Sequence, residues 1–156
     1  MSAGDGDPPR GVVVHFDGAC QPPHARGIAT WAFTVEGEGL DHEASGLAAS
    51  PFSAESTNNV AEYSGAIHAL EFLLEKGYRG AVTVLGDSEL VIRQMSGEYA
   101  VRKEHLKPYH ARLRALAGQL PGVRFFSIPR EENSRADELT KRAIVEARRN
   151  LDPKDP

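Results

Sequence analysis

The chain has 156 residues, of which 40% are hydrophobic, a length and composition that support one domain with its own core. Its 22 acidic and 18 basic residues give a net charge of −4, which argues against a protein that coats nucleic acid through bulk positive charge. The single cysteine, Cys20, excludes an internal disulfide, and no apolar run approaches the roughly 18 residues needed to cross a bilayer. Residues 1–10 lack the features of a secretory signal, so we expect a cytoplasmic location. We also expect a monomer with no membrane attachment.

The ends of the chain differ in composition from its body. We expect a disordered segment over 1–10, a domain over 11–148 and a flexible tail over 149–156. Within the domain, β-branched runs and apolar residues at helical spacing predict strands and helices in a defined order. They are three strands (12–16, 27–35, 40–48), a helix (59–75), a strand (81–85), two helices (88–95, 106–120), a strand (123–128) and a helix (134–148).

This order predicts a mixed α/β fold, in which an antiparallel meander continues into parallel strands through right-handed crossovers. Functional sites in such sheets lie at the carboxyl ends of the parallel strands. Two acids, Asp17 and Asp87, directly follow apolar runs, and each adjoins a glycine that permits close backbone approach. Each also has a structural interpretation, as a hairpin turn for Asp17 and as a helix start for Asp87.

Two further acids lie in the first turns of predicted helices. Glu62 shares a helix face with apolar residues, so its carboxylate should point to the core, where an unpaired charge is costly. A capping box between Asn59 and Glu62 is the alternative, and Ser134 with Asp137 fits the same pattern. Four carboxylates on one rim are better explained together, because divalent cations relieve their repulsion. Oxygen ligands suit Mg²⁺ or Mn²⁺, and two such ions about 4 Å apart would serve phosphodiester hydrolysis.

Four segments in order resemble the signature blocks of ribonuclease H type 1: FDGAC (16–20), TNNVAEY (57–63), GDSELV (86–91) and NSRADEL (133–139). The match extends over about 12–147. The resemblance implies the ribonuclease H fold, with a five-stranded mixed sheet in the order 3-2-1-4-5, and hydrolysis of the RNA strand of an RNA/DNA hybrid. It also implies two Mg²⁺ ions, replaceable by Mn²⁺, held by the catalytic acids Asp17, Glu62, Asp87 and Asp137.

The resemblance further implies which residues bind the substrate. They are Gly18, Ala19 and Cys20 in the first block and Thr57, Asn58 and Asn59 in the second. A helix start is an alternative explanation for the second group, because threonine and asparagine are favoured there. Double-stranded RNA is a second candidate partner, since it is a substrate to consider for the short subgroup of the family.

The sequence departs from the family pattern at three places. Residues 21–26 replace the Asn-Pro-Gly-Pro turn, and residues 96–109 lack the basic, tryptophan-containing protrusion, as in the short subgroup. Six basic residues against two acids between positions 93 and 114 make Lys103 and Lys107 candidate phosphate contacts, although a solvated helix face explains them equally well. Arg130 occupies the loop where the family often has a histidine, as a candidate catalytic residue acting electrostatically or as a solvated loop cation.

Two alternatives compete with the ribonuclease. One is an inactive nucleic-acid-binding module of the same fold, which the presence of all four acids disfavours. The other is a different two-metal phosphotransferase, such as a transposase or resolvase domain, which usually belongs to a longer chain with added DNA-binding segments.

Overall fold

The computed structural model describes residues 11–22 and 26–151. The predicted order of elements is confirmed, with two short 3-10 turns added at Glu104–Leu106 and Arg130–Glu132. The strands are β1 (Val12–Gln21), β2 (Ile28–Gly37), β3 (Leu40–Leu47), β4 (Ala81–Gly86) and β5 (Gly122–Ser127). The helices are α1 (Asn58–Glu75), α2 (Glu89–Met95), α3 (Lys107–Ala117) and α4 (Ser134–Leu151).

The five strands form one mixed sheet in the predicted order β3-β2-β1-β4-β5. Strand β2 is antiparallel to β1 and β3, whereas β4 is parallel to β1 and β5. Helices cover both faces of the sheet. Successive side chains of a strand point to opposite faces, so β1 contributes to the packing on each side. Phe16 on β1 packs in the main core with α1, whereas Ala19 packs beside Ile144 of α4.

The main core fills the space between the sheet and helices α1, α2 and α3. Alternate residues of β1 supply its centre, since Val12, Val14 and Phe16 have no exposed surface. Leu70 and Leu73 of α1 are equally buried opposite them. Complete burial of each such side chain contributes about 1.5–3 kcal/mol, so β1 is held firmly at the middle of the domain.

Strand β1 is longer than predicted, and Asp17 lies within it instead of at its end. Antiparallel pairing with β2 continues to Gln21, whereas parallel pairing with β4 stops at Phe16 and Gly86. The predicted end was wrong because Asp17 and Gly18 interrupt the apolar run, while the pairing with β2 carries the strand through them. Asp17 therefore lies at the point where β1 loses its neighbour on one side.

Two helices also differ from their predicted lengths. Helix α3 starts at Lys107 and ends at Ala117, with Pro108 in its first turn as predicted. Helix α4 continues three residues beyond the predicted end at position 148. The predicted disordered segment 1–10 and residues 152–156 of the predicted tail lie outside the described residues. No helix in the described ranges is both long enough and apolar enough to span a bilayer.

Glycine allows α1 to approach β1 closely beside the acids. A Cβ atom at Gly18 would lie 2.3 Å from backbone atoms of Ala61 and of Glu62. No side chain fits there unless the helix moves. The contact therefore sets the distance between the turn of α1 that carries Glu62 and the part of β1 that carries Asp17.

We expect Gly18→Ala to lower the free energy of unfolding by about 1–3 kcal/mol, the usual cost of overpacking. Gly122→Ala is the matched strand control, because a Cβ there would meet nothing within 4 Å, and should change it by less than about 0.5 kcal/mol. Urea denaturation measures both variants. Equal stabilities would show that α1 adapts to the added methyl without cost.

Candidate active site

The four predicted acids line one cleft. Asp17 comes from β1, Glu62 from the second turn of α1, Asp87 from the residue after β4 and Asp137 from the first turn of α4. Carboxylate oxygens of Asp17, Glu62 and Asp87 all lie within 4.8 Å of one another. Asp137 is not a member of this acidic trio but lines the cleft beside it.

Helix capping does not explain Glu62 or Asp87, because other residues cap α1 and α2. The side-chain oxygen of Thr57 accepts a backbone N–H of α1 at 3.2 Å, and that of Ser88 accepts one of α2 at 3.2 Å. Asn59 lies inside α1, so it does not form the N-cap of a capping box with Glu62. Asp87 precedes the capping residue of α2.

Asp17 is the most buried of the four acids, with 6% of its surface exposed. Its Oδ1 accepts the backbone N–H of Gly18 at 2.9 Å. Burial, followed by the negative charge of Asp87, raises the pKa of Asp17 from 3.8 to about 8. Glu62 and Asp137 add smaller upward effects, whereas the hydrogen bond from Gly18 opposes them.

Burial also dominates the pKa values of the other two members of the trio. It raises the pKa of Glu62 to about 7, against the opposing effects of a hydrogen bond from Ser88 and the charge of Arg130. It raises the pKa of Asp87 as well, opposed by a hydrogen bond from Asn133 and by Arg130. A positively charged ligand would therefore be strongly favoured here, since it removes the penalty for ionising all three carboxyl groups.

Asn133 connects three parts of the site, although the sequence did not single it out. Its side chain is buried, and its Nδ2 donates to the carbonyl oxygen of Phe16 at 2.8 Å. Its own carbonyl oxygen accepts the N–H of Asp137 at 3.1 Å, and its side chain lowers the pKa of Asp87. Among the described residues, Asn133 Oδ1 has no partner. The signals in the sequence are its place at the start of the fourth signature block, NSRADEL, and its position directly before a predicted helix.

Two cations line the cleft with the acids. Arg130 is exposed in the 3-10 turn before α4, and its charge lowers the pKa of both Glu62 and Asp87. Lys141, on α4, places its Nζ 3.0 Å from Oδ2 of Asp137. The sequence analysis missed Lys141, although its spacing of four residues from Asp137 is typical of an ion pair on a helix.

The residues predicted to bind substrate separate into two grooves. Gly18, Ala19, Cys20 and Asn58 line the acidic cleft. The thiol of Cys20 is buried and donates to the carbonyl oxygen of Ser56 at 3.2 Å, so a substrate contact would have to use the backbone of Cys20.

Asn59 lines a neighbouring groove with Tyr99, Arg102 and Lys103. Lys107 lines neither groove, and its Nζ lies 2.7 Å from Oε2 of Glu104. This placement favours the interpretation of Lys107 as a solvated helix residue over a phosphate contact, whereas Lys103 keeps both interpretations.

The chain matches known proteins over most of its length. A family model described as reverse transcriptase-like matches residues 15–143. Ribonuclease HI of Halobacterium salinarum is 32% identical over 142 residues, which cover 90% of this chain and 68% of that protein. The chain belongs to the ribonuclease H type 1 family. Its predicted family and fold are thereby confirmed.

Other members of the ribonuclease H family extend the comparison. The bifunctional protein Rv2228c of Mycobacterium tuberculosis is 32% identical over 136 residues, and the match covers 85% of this chain but 35% of that protein. The chain thus spans about a third of the length of this relative. The crystal structure of LC11-RNase H1 in complex with an RNA/DNA hybrid has a TM-score of 0.76 and 36% identity, covering 88% of this chain and 99% of that one.

We expect the stability of the metal-free protein to fall as pH rises from about 4 to 8. Because the pKa of Asp17 rises on folding from 3.8 to about 8, the folded chain binds this proton more tightly than the unfolded chain. The contribution is complete below the unfolded pKa and is lost as pH rises through the folded pKa. Asp17→Asn removes this pH-dependent contribution. The melting temperature of the variant minus that of the wild type should therefore increase as pH rises.

Thermal melts in chelator at about pH 5, 7 and 9 test this linkage. Asp41→Asn, on the exposed part of β3, is the control and should follow the wild type at every pH. A difference between Asp17→Asn and wild type that stays constant with pH would contradict the argument.

Proposed function

We propose that the chain is an endoribonuclease that hydrolyses the RNA strand of RNA/DNA hybrids and that uses two Mg²⁺ ions, replaceable by Mn²⁺. The acidic trio within 4.8 Å, in a cleft that also holds Asp137, is the observation that carries the proposal. Family membership supports it, as does the likeness to LC11-RNase H1, a structure solved with an RNA/DNA hybrid. The convergence of all four acids disfavours an inactive binding module.

The donor set fits hard divalent cations. Every donor is a carboxylate oxygen, the type of ligand that Mg²⁺ and Mn²⁺ prefer. Asp17, Glu62 and Asp87 would hold the ions from three elements of the fold, with Asp137 completing the set from α4. The chemistry supplied by two bound ions is Lewis-acid activation of water and neutralisation of charge on the leaving oxygen.

The protein's own groups give these carboxylates their places. Asp17 is fixed by the pairing of β1 with β2, and Ser88 lowers the pKa of Glu62, which favours its charged form. We propose that Arg130 stabilises negative charge on the phosphate, because its charge already reaches two of the acids. A guanidinium keeps its proton near neutral pH, so this help is electrostatic.

Substrate recognition would depend on local contacts. Asn58 lies in the acidic cleft and could contact a minor groove bearing 2′-hydroxyl groups, whereas Asn59 and Lys103 would meet the duplex in the neighbouring groove. Two basic residues line that groove, Arg102 and Lys103. Elsewhere on α2 and α3, Arg93, Lys107 and Arg112 form ion pairs with glutamates. We therefore expect modest affinity and a shallow dependence on salt. Cleavage of double-stranded RNA, a monomeric state and a cytoplasmic location stay predictions.

Digestion of one labelled RNA strand, annealed in turn to DNA and to RNA, tests the proposal when run with Mg²⁺, Mn²⁺ or chelator. We expect cleavage of the hybrid with either metal and none in chelator. Asp87→Asn should reduce turnover by more than about 100-fold, since it removes a charged donor worth several kcal/mol of transition-state stabilisation. Asp41→Asn should cleave like the wild type. A tenth of wild-type turnover in Asp87→Asn would rule out its assigned role.

Arg130→Ala should lower turnover about ten-fold, equivalent to about 1.4 kcal/mol of transition-state stabilisation. Metal affinity should change little. Arg130→His should introduce a titration in the pH profile near about 6.5, the ordinary pKa of histidine. Arg79→Ala, another exposed arginine, is the control. Unchanged turnover of Arg130→Ala at saturating substrate would leave Arg130 as a solvated loop cation.

A further inference from the structure

Lys141 lies where two surfaces of the protein meet. It lines the acidic cleft, and it also lines a groove along the outer side of α4 with Arg142 and Arg149. Its side chain is 65% exposed, whereas that of its partner Asp137 is 22% exposed. The lysine is therefore the more solvated end of this ion pair, and the acid is the more enclosed end.

Of the four acids, Asp137 alone is paired with a lysine or arginine among the described residues. The acidic trio shares one small space without a lysine or arginine paired to it among the described residues. Asp137 is instead paired with Lys141, whose Nζ lies 3.0 Å from its Oδ2, although the charge of Asp137 still reaches Asp17. A divalent cation that uses Asp137 as a ligand must compete with this ammonium group, because both need the same carboxylate.

The competition is easily reversed. Exposed lysine–carboxylate pairs contribute little to stability, since water solvates both charges well. An ammonium group on a flexible stem is also a good point-charge partner for phosphate. A nucleic acid lying in the cleft would bring backbone phosphates within reach of Lys141, since Lys141 lines that cleft.

We propose that Lys141 is a positioning residue that changes partners during substrate binding. It holds Asp137 in the free protein and moves to a backbone phosphate when the nucleic acid enters, which frees Asp137 for the cation. Removing the ammonium group should therefore tighten cation binding to the free protein and weaken nucleic-acid binding. Cation and nucleic acid each favour binding of the other by the same factor, as linkage requires. This inference rests on the proposed function.

The chain contains a matched control for this residue. Arg142 follows Lys141 on α4 and forms the same kind of pair, with its NH2 group 3.2 Å from Oε2 of Glu138. Its side chain has the same exposure of 65%, but it does not line the acidic cleft. Arg142→Met thus removes one positive charge from the same helix without disturbing Asp137.

The test compares Lys141→Met, Lys141→Arg and Arg142→Met. Mg²⁺ affinity is measured from Mg²⁺-dependent thermal stabilisation of the free protein, and affinity for an RNA/DNA hybrid is measured in chelator, where no cleavage occurs. For Lys141→Met we expect Mg²⁺ binding to tighten and hybrid binding to weaken, each by about two- to five-fold, the size expected for one exposed ion pair. Lys141→Arg should keep both affinities near those of the wild type, and Arg142→Met should change neither by as much as two-fold.

Unchanged or weaker Mg²⁺ binding in Lys141→Met would overturn the inference, as would unchanged hybrid binding or equal effects in Arg142→Met. Failure of the proposed function has a different signature, because the wild type would then not cleave the hybrid with either metal. Wild-type cleavage together with an unaltered Lys141→Met would remove only the role of Lys141. Lys141→Gln repeats the charge removal with a polar side chain if the methionine variant folds poorly.

Discussion

Repulsion among carboxylates that are held too close together is the constraint on which the rest of the structure depends. Three of them lie within 4.8 Å, and burial makes their ionisation still more costly. Each carboxylate comes from a different element, so the tertiary structure as a whole holds them close together. Three features keep the carboxylates in place: the close contact at Gly18, the buried core residues of β1 and the hydrogen bonds of Asn133. The repulsion among these carboxylates lowers the free energy of unfolding, and the packing of the rest of the fold offsets this cost.

The order of the elements could be predicted from the sequence because apolar periodicity is strong in them. The four acids could be predicted because each lies in a recognisable signature block. The prediction was wrong for features that depend on contacts between distant segments. Pairing with β2 carries β1 through Asp17, which no local pattern reveals. Asn58 and Asn59 are neighbours in sequence, yet they line different grooves because a helix turns successive residues apart. Asn133 reaches Phe16 across 117 positions, so its role is visible only in three dimensions.

Few positively charged side chains of the described residues lie near the four acids. The chain is acidic as a whole, with a net charge of −4, and many of its exposed cations are paired with glutamates on the helices. Arg130 and Lys141 both line the acidic cleft. Specificity for a polyanion can then come from a few charges at the reacting position instead of from a broad basic surface.

The position of Asp17 in the middle of β1 bears on how the protein opens locally. Amides in the central strand of a sheet exchange with solvent deuterium only when the whole domain unfolds, whereas helix ends open in smaller and more frequent fluctuations. Asp17 belongs to the first class, and Asp137, although near a helix end, is tied to buried Asn133, whose carbonyl oxygen accepts its N–H at 3.1 Å. Local opening of the domain should therefore leave both acids where the fold holds them, so that the site comes apart only when the sheet itself unfolds.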